Sequence, residues 1–378
     1  MSERKPRILQ LITRLHRGGA EDHLLSIIYN LRDKYDFVVG FGSSFNPELE
    51  KKLKADNIET KNFKWLKHYN LFSILLSVLE IFIYLRKNKF DIVHTNSTEA
   101  GIAGRIAARL AGVPIIVHTL HGMPFNENRK YLLRKFIIAM ERFAAFLTSA
   151  FESTSETITR QYLANHIGRS EQYVTIYSGI ETDKYKNSSN MVLPVEKGRF
   201  KVLMAARLTK EKGFDELIMA AKEIISKYKD IFFIISGEGE YENNIRSLIN
   251  SNGLQEYFLM LGFCRDMPKL LKSVSLLVLP SYFEGTPRII SEAMAAGLPI
   301  VATNVGGIPD QIDDLCNGIL ILPKNPNALA KAIIRIYKDK ELYRKMSIGS
   351  TQKSQKYSLS IMLKEVNDHY NILLQETI

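Results

Sequence analysis

Cysteine is scarce in this 378-residue chain: only Cys264 and Cys316 occur, far apart and without metal-ligand spacing. That pattern argues against a zinc site and suits a reducing cytoplasm. Long hydrophobic runs are lacking too. The greasiest segment, Leu71 to Leu85, contains Glu80 and two serines and falls short of the roughly 20 residues that span a bilayer. No transmembrane helix is therefore expected. The basic start Met-Ser-Glu-Arg-Lys-Pro-Arg runs into a single strand-length apolar stretch, Ile8 to Ile12, too short for a signal-peptide core. A G-x-G-x-x-G turn is absent after the first strand, which removes the main support for an NAD-binding reading. The chain is basic, but no recognition motif accompanies the charge, so nucleic acid is not an expected partner.

What is present reads as an ordinary globular protein, 46% hydrophobic and 24% charged. Its length exceeds what one core serves, so two domains are expected. The net charge of +11 is uneven: residues 1–186 hold 27 Lys and Arg against 19 Asp and Glu, so most of the excess lies in the first half.

Arg7 to Thr13 has the pattern of a buried strand, and a helix pattern runs to about Leu31. Gly18 and Gly19 stand between them, where missing side chains let backbone approach a ligand, or merely permit a tight turn. Further strands are expected at Phe37 to Phe41, Phe90 to Ser97 and Val113 to Gly122, with helices between. This rhythm implies a parallel doubly wound sheet whose ligands lie beyond the carboxyl ends of its strands. His94, Asn96, Ser97, His118 and His121 fall at such ends; ordinary loops carry such residues as well, and His94 and His118 are read as structural.

Residues 186–198, with an Asn-Ser-Ser-Asn run and a proline, read as a linker. The domains are accordingly drawn at 1–186 and 187–356, with a terminal helical segment over 357–378. In the second half, the strand Phe200 to Ala206 leads to Arg207 and Lys212, five residues apart across a strand-to-helix turn. A guanidinium and an ammonium so placed can converge on one anion, or remain a solvated pair.

The most informative stretch follows. The apolar run Leu276 to Leu279 stops at Pro280, a loop comes next, and Thr286-Pro287 opens a helix that ends at Gly297. Thr286 suits the N-cap and Pro287 the first helical position. The N–H groups of Arg288, Ile289 and Ile290 would then face an anion such as a phosphate. Glu284 precedes the helix and Glu292 lies one and a half turns inside it, bracketing that anion with carboxylates that accept vicinal hydroxyls. Phosphate between hydroxyl-bearing rings describes a nucleotide-sugar; a crossover with two solvated glutamates is the plain alternative.

This segment resembles the E-x7-E signature of the retaining GT-B glycosyltransferases, in the large glycosyltransferase family 4 (glycosyl transferases group 1). The Glu284-Gly285-x-Pro287 opening, the Ser-Glu-Ala-Met-Ala-Ala-Gly-Leu-Pro-Ile-Val-Ala-Thr centre and the Gly306-Gly307-Ile-Pro exit all match. So do Gly18-Gly19-x-Glu21, His121-Gly122, Arg207-x-x-x-x-Lys212-Gly213 and Gly237-x-Gly239. The resemblance covers essentially the whole chain, strongest from Lys201 to Pro309 and loosest from Phe41 to Phe90. Tyr177 and Ser178 depart from it, standing where the family has Pro and Asn.

The resemblance implies an α/β GT-B fold: two Rossmann-like doubly wound domains facing a central cleft, with the C-terminal helix crossing back to the first. It further implies a diphosphate held by Arg207 and Lys212, sugar hydroxyls by Glu284 and the ribose by Glu292. Gly237, Gly285, Thr286, Pro287, Arg288 and Ile289 would complete the donor site, with Phe263 near the base and Gly18 and Gly19 on the cleft floor. His121 would face the transferred sugar. His121, Glu284, Arg207 and Lys212 form the expected catalytic set, and Asn96 and Ser97 are expected to meet the acceptor.

The implied reaction moves a hexosyl unit from a UDP- or GDP-sugar to a glycan or lipid-linked acceptor in cell-surface polysaccharide or glycolipid synthesis. No Asp-x-Asp stands at the end of an apolar strand, and Asp313-Asp314 lies in a loop, so no metal and no other cofactor is expected. The rival readings are a nucleotide-sugar epimerase of the same fold and a non-catalytic membrane scaffold. A helix pattern from Glu127 to Leu147 has a basic side and an aromatic side. With Lys61, Lys64, Lys67, Arg86, Lys87 and Lys89, it reads either as a core-facing amphipathic helix or as a contact for anionic lipid. The expected location is the cytoplasm, with peripheral contact at the inner face of the membrane.

Overall fold

The computed structural model describes residues 4–16, 18–66, 71–125 and 130–376. Lys67, the Glu127 to Arg129 opening of the basic helix, and the last two residues of the terminal segment lie outside them. The chain divides into two compact units, Met1–Gly179 with Ser360–Ile378, and Ile180–Leu359.

The first unit alternates β1 (Arg7–Leu15), α1 (Gly19–Leu31), β2 (Asp36–Phe45), α2 (Pro47–Ala55), β3 (Glu59–Asn62), α3 (Leu71–Lys87), β4 (Ile92–Asn96), α4 (Thr98–Ala111), β5 (Ile115–Leu120), α5 (Tyr131–Ala145), β6 (Ala150–Ser153), α6 (Glu156–Ala164) and β7 (Tyr173–Thr175). Its seven strands are parallel, in the order β3-β2-β1-β4-β5-β6-β7. The central strands are covered on both faces, which is why Ile8, Leu9, Leu11 and Ile12 are all buried instead of alternating with exposed residues, and why even Gln10 between them is buried.

The second unit opens with α7 (Thr182–Lys186) and continues through β8 (Phe200–Ala205), α8 (Phe214–Ile225), β9 (Ile231–Ser236), α9 (Glu242–Ser251), β10 (Phe258–Gly262), α10 (Met267–Lys272), β11 (Leu276–Leu279), α11 (Arg288–Ala295), β12 (Ile300–Thr303), α12 (Ile308–Gln311), β13 (Gly318–Ile321), α13 (Pro326–Lys338) and α14 (Lys340–Ser354). Its parallel sheet runs β10-β9-β8-β11-β12-β13. In both sheets the winding reverses beside the first strand, so the carboxyl ends of β1 and β4, and of β8 and β11, form the crevices where such sheets bind ligands.

The terminal helix α15 (Leu359–Glu376) belongs almost wholly to the first unit. It is fastened there by Tyr370, fully buried, and by Asn371 Oδ1, which accepts from the Tyr35 hydroxyl at 3.1 Å. Residues 180–186, drawn with the first domain from the sequence, lie in the second unit. The Ile180 N–H donates to Tyr357 O at 2.9 Å, the Leu359 N–H donates to Ile180 O at 2.8 Å, and α7 packs on α11. Backbone pairing between residues far apart in sequence leaves no local turn signal.

Two helices expose what an amphipathic pattern would bury. On α3, Ile74, Ser77, Ile81 and Leu85 face inward, while Phe72, Leu75, Leu79 and Ile83 form an exposed stripe. On α5, only Ile137, Glu141, Ala144 and Ala145 are buried, and Ile137 and Ala145 join the core with Leu120 and Phe151; Tyr131, Leu132, Phe136 and Phe143 are exposed, so the helix faces the core along one side and leaves these aromatic and apolar residues outside it. Both helices pack on α4.

Candidate functional site

In the second unit, the loops after β8 and β11 are joined. Lys212 Nζ donates to Glu284 Oε1 at 2.8 Å, and the Ser281 hydroxyl donates to the same oxygen at 2.7 Å. The Tyr282 N–H also reaches Glu211 O at 2.8 Å. Two glycines let these loops close. Gly213 has φ +83°, and a Cβ there would sit 2.1 Å from Pro280 O; Gly306 has φ +57°, and its Cβ would sit 1.9 Å from Glu284 O. No other residue fits either place without moving backbone. The Gly307 N–H then donates to Gly285 O at 2.7 Å, fixing the loop from its far side.

Arg207 and Lys212 therefore differ in state. The Lys212 side chain is only 22% exposed and already paired. Arg207 is exposed and makes no ion pair among the described residues. Arg288 Nε and Glu292 Oε1 stand 4.0 Å apart on α11, both largely buried.

The N-cap of α11 is Pro287, not Thr286, because Pro287 keeps an extended ψ of 118° and the first helical residue is Arg288. The Ile290 N–H donates to Pro287 O at 3.2 Å, so it is not directed at an anion as expected. Ile289 and Arg288 occupy the helix start. Gly237 follows β9 and donates its N–H to Gly262 O at 2.9 Å, while Phe263 lies in the next loop with its ring half exposed.

In the first unit, His121 is half-buried and its Nε2 meets Asn96 Oδ1 at 2.9 Å. Its ring stands edge-on to His23 at 5.1 Å between centroids. Burial, reinforced by nearby His94 and opposed by Glu152, lowers its pKa to about 4, so the ring is neutral near pH 7. Gly18 and Gly19 begin α1, with Gly18 in extended backbone that any residue adopts.

Asn96 and Ser97, expected to meet the acceptor, both make hydrogen bonds inside the unit. Asn96 is 1% exposed and spends both amide ends inside, on His121 and on Gln10 Oε1 at 3.0 Å. The Ser97 hydroxyl accepts from the Thr13 N–H at 3.0 Å and pairs with the Thr13 hydroxyl at 2.7 Å, tying β1 to β4. His94 and His118 are fully buried, as structural histidines would be.

Sequence reasoning missed Gln10, Glu152, His369 and Tyr370, which adjoin this cluster. His94 Nδ1 lies 2.5 Å from the Tyr370 hydroxyl, and His369 Nδ1 lies 2.8 Å from Glu152 Oε1. Burial pulls the Glu152 carboxyl upward, but His94 and the bond from His369 outweigh it and hold it below the usual range. The available signal was a polar side chain inside an apolar strand, Gln10 in β1 and Glu152 in β6.

Among the described residues, no three His, Cys, Asp or Glu side chains group to hold a metal ion, and no helix is long and apolar enough to cross a membrane.

The chain matches two family descriptions, Glycosyltransferase Family 4 over residues 17–184 and Glycosyl transferases group 1 over residues 187–353. It is 32% identical over 291 residues to the Escherichia coli UDP-Gal:alpha-D-GlcNAc-diphosphoundecaprenol alpha-1,3-galactosyltransferase, covering 73% of this chain and 74% of that one. To the Staphylococcus aureus capsular polysaccharide biosynthesis glycosyltransferase CapM it is 25% identical, over 87% of this chain and 93% of that one. The fold is that of Anabaena HepE, solved in complex with UDP, with a TM-score of 0.81 at 22% identity over 97% of this chain and 99% of that one. With both crevices built from its own residues and both halves matched, the chain belongs to the group 1, family 4 glycosyltransferases of GT-B fold.

Proposed function

We propose that this glycosyltransferase moves a hexosyl unit from a nucleotide-sugar to a glycan or lipid-linked acceptor in cell-surface polysaccharide or glycolipid synthesis, retaining the anomeric configuration. The observation that carries the reading is the exposed Arg207 beside the Lys212–Glu284 pair, at the carboxyl ends of β8 and β11. A cation with no ion-pair partner among the described residues and a second cation aimed by a carboxylate suit a diphosphate leaving group. The name of the Escherichia coli relative supports a UDP-sugar and an acceptor carried on a diphospholipid.

In this reading the bond from the anomeric carbon to the diphosphate oxygen breaks, and its electron pair leaves with the phosphate. The acceptor hydroxyl attacks from the same face and passes its proton to that departing phosphate oxygen. Arg207 and Lys212 stabilise the charge that develops, so no resident metal is assigned to the step. Both protein contacts to Glu284 fall on Oε1, and Oε2 is assigned to sugar hydroxyls. Glu292 is assigned to the ribose and His121 to the transferred sugar.

The test is a screen of UDP- and GDP-hexoses by calorimetry, followed by transfer from the tightest binder to an undecaprenyl-diphosphate sugar. Product of inverted configuration, or a free epimerised nucleotide-sugar formed without acceptor, overturns the reading.

A peripheral contact with anionic membrane is part of the same proposal. It is supported by the exposed apolar stripe of α3, ending in the exposed Arg86 and Lys87, and by the exposed aromatic residues of α5 interspersed with Lys130, Arg134, Lys135 and Arg142. The enzyme would then work on the cytoplasmic face.

A further inference from the structure

The buried polar groups of the first unit form one continuous chain. The His121 Nε2–H can donate to Asn96 Oδ1 at 2.9 Å, Asn96 Nδ2 to Gln10 Oε1 at 3.0 Å, and Gln10 Nε2 to the Tyr370 oxygen at 2.9 Å. The Tyr370 hydroxyl can then donate to His94 Nδ1 at 2.5 Å, and the His94 Nε2–H to Thr119 Oγ1 at 2.6 Å. Every donor points the same way. The chain also has a mirror state: turning both amides over and reversing the hydroxyls would put the proton of His121 on Nδ1.

Glu152 distinguishes the two states. Its Oε1 accepts from His369 Nδ1 at 2.8 Å, while its buried Oε2 has no hydrogen-bond partner among the described residues and lies 3.8 Å from His94 Nε2. A carboxylate oxygen facing an N–H is attractive; facing a nitrogen lone pair in a dry interior it is repulsive. His94 therefore carries its proton on Nε2, and its bare Nδ1 accepts, from the Tyr370 hydroxyl at 2.5 Å and more distantly from Gln10 Nε2 at 3.3 Å. Each later link follows from the shape of an amide: with Gln10 Nε2 turned to Tyr370 and His94, its Oε1 faces Asn96 Nδ2, and Asn96 Oδ1 then faces the His121 Nε2–H.

We propose that Glu152 selects the protonated nitrogen of His121 through this one-way chain, so that His121 meets its ligand with a bare Nδ1 that accepts a hydrogen bond from a sugar hydroxyl. The ligand part of the inference rests on the proposed role of His121. Glu152, Tyr370, Gln10 and Asn96 are positioning residues, and the terminal helix contributes one of them. The device needs α15 docked, since that helix supplies both Tyr370, a link of the chain, and His369, which engages Glu152 Oε1.

The experiment uses the full chain with 15N-labelled histidine and long-range proton–nitrogen correlation near pH 7, where the two neutral forms differ in nitrogen shift. His94→Ala and His121→Ala assign the signals. In the unsubstituted protein, both His94 and His121 should carry the proton on Nε2; a proton on Nδ1 of His121 overturns the proposal without any further variant. In Glu152→Gln, whose amide N–H can face His94 Nε2, and in Tyr370→Phe, the Nδ1–H form of His121 should appear, and the donor KM should rise about fivefold, the loss of one hydrogen bond. An unchanged His121 spectrum in a folded Glu152→Gln or Tyr370→Phe protein also overturns it. If the tautomer follows Glu152 but His121→Ala leaves transfer unaffected, the chain stands and the sugar-facing role of His121 falls.

Discussion

Lys212 Nζ lies 2.8 Å from Glu284 Oε1, a single ion pair that joins the loop after β8 to the loop after β11 across the point where the sheet winding reverses. Both side chains are mostly buried, so removing one would strand the other's charge away from water, and the pair holds the lysine in one orientation. The neighbouring Arg207 is left to solvent. One cation is aimed and the other is available.

Replacing either cation should therefore cost transfer, with different effects on stability. Arg207→Ala is expected to lower kcat/KM for the nucleotide-sugar about 10²–10³-fold while leaving the melting temperature unchanged. Lys212→Ala should cause a loss of similar size and also lower the melting temperature, because Glu284 loses its counter-charge. Steady-state kinetics with thermal melts of both variants would show this contrast.

Glu292→Ala should weaken nucleotide-sugar binding by about 10- to 100-fold, the range for a hydrogen bond to a charged group. Calorimetric titration is the direct measurement. Binding equal to that of the unsubstituted chain would remove Glu292 from the ribose.

The fully buried pair of Arg105 Nη2 and Glu141 Oε2, 2.6 Å apart, links α4 to α5. Glu141→Ala would leave the guanidinium buried without its charge partner and should cost about 3–5 kcal/mol in urea unfolding. Arg105→Met combined with Glu141→Leu should cost less than that single change, since no charge is stranded.

Acid should destabilise the first unit across a defined window. His121 has a folded pKa of about 4 against its usual 6.5, and burial also lowers those of His94 and His118. Between those values the unfolded chain binds protons that the folded chain does not, so stability is full above about pH 6.5 and falls as pH drops toward 4. Glu152, held below its usual value, adds its own loss at the lower end. Urea midpoints measured from pH 7 to pH 4 should decline steadily; a flat profile would contradict the buried neutral histidines.

Vesicle co-sedimentation checks the lipid contact. The chain should pellet with anionic vesicles at low salt and dissociate as salt rises, since charges near the surface are screened. Leu75→Ser with Leu79→Ser, both exposed on α3, should reduce pelleting without lowering the melting temperature.

Much of the second unit was legible in the sequence because its signals are local. The run Leu276 to Leu279, the proline stop, and the Arg207 and Lys212 spacing each depend on a few consecutive residues. They correspond to β11, the start of α11 and the paired loops. The N-cap was misplaced by one residue because Pro287 can occupy either the half-helical or the first helical position, and only its ψ decides. The aromatic side of α5 was left open between core and lipid because periodicity identifies a face without saying whether that face is covered.

The sequence by itself determined the alternation of strands and helices, the glycines that the tight loops demand, and the charged residues at strand ends, all of which follow from short-range sterics and apolar spacing. Tertiary structure alone decided that Lys212 is paired while Arg207 makes no ion pair among the described residues, that Asn96 bonds His121, and that Tyr370 reaches Gln10 and His94 from the far end of the chain. Those relationships are hydrogen bonds between side chains 25 to 360 residues apart in sequence. Their directions depend on which polar groups are buried together, a property that exists only once the sheet and the returning helix have closed over them.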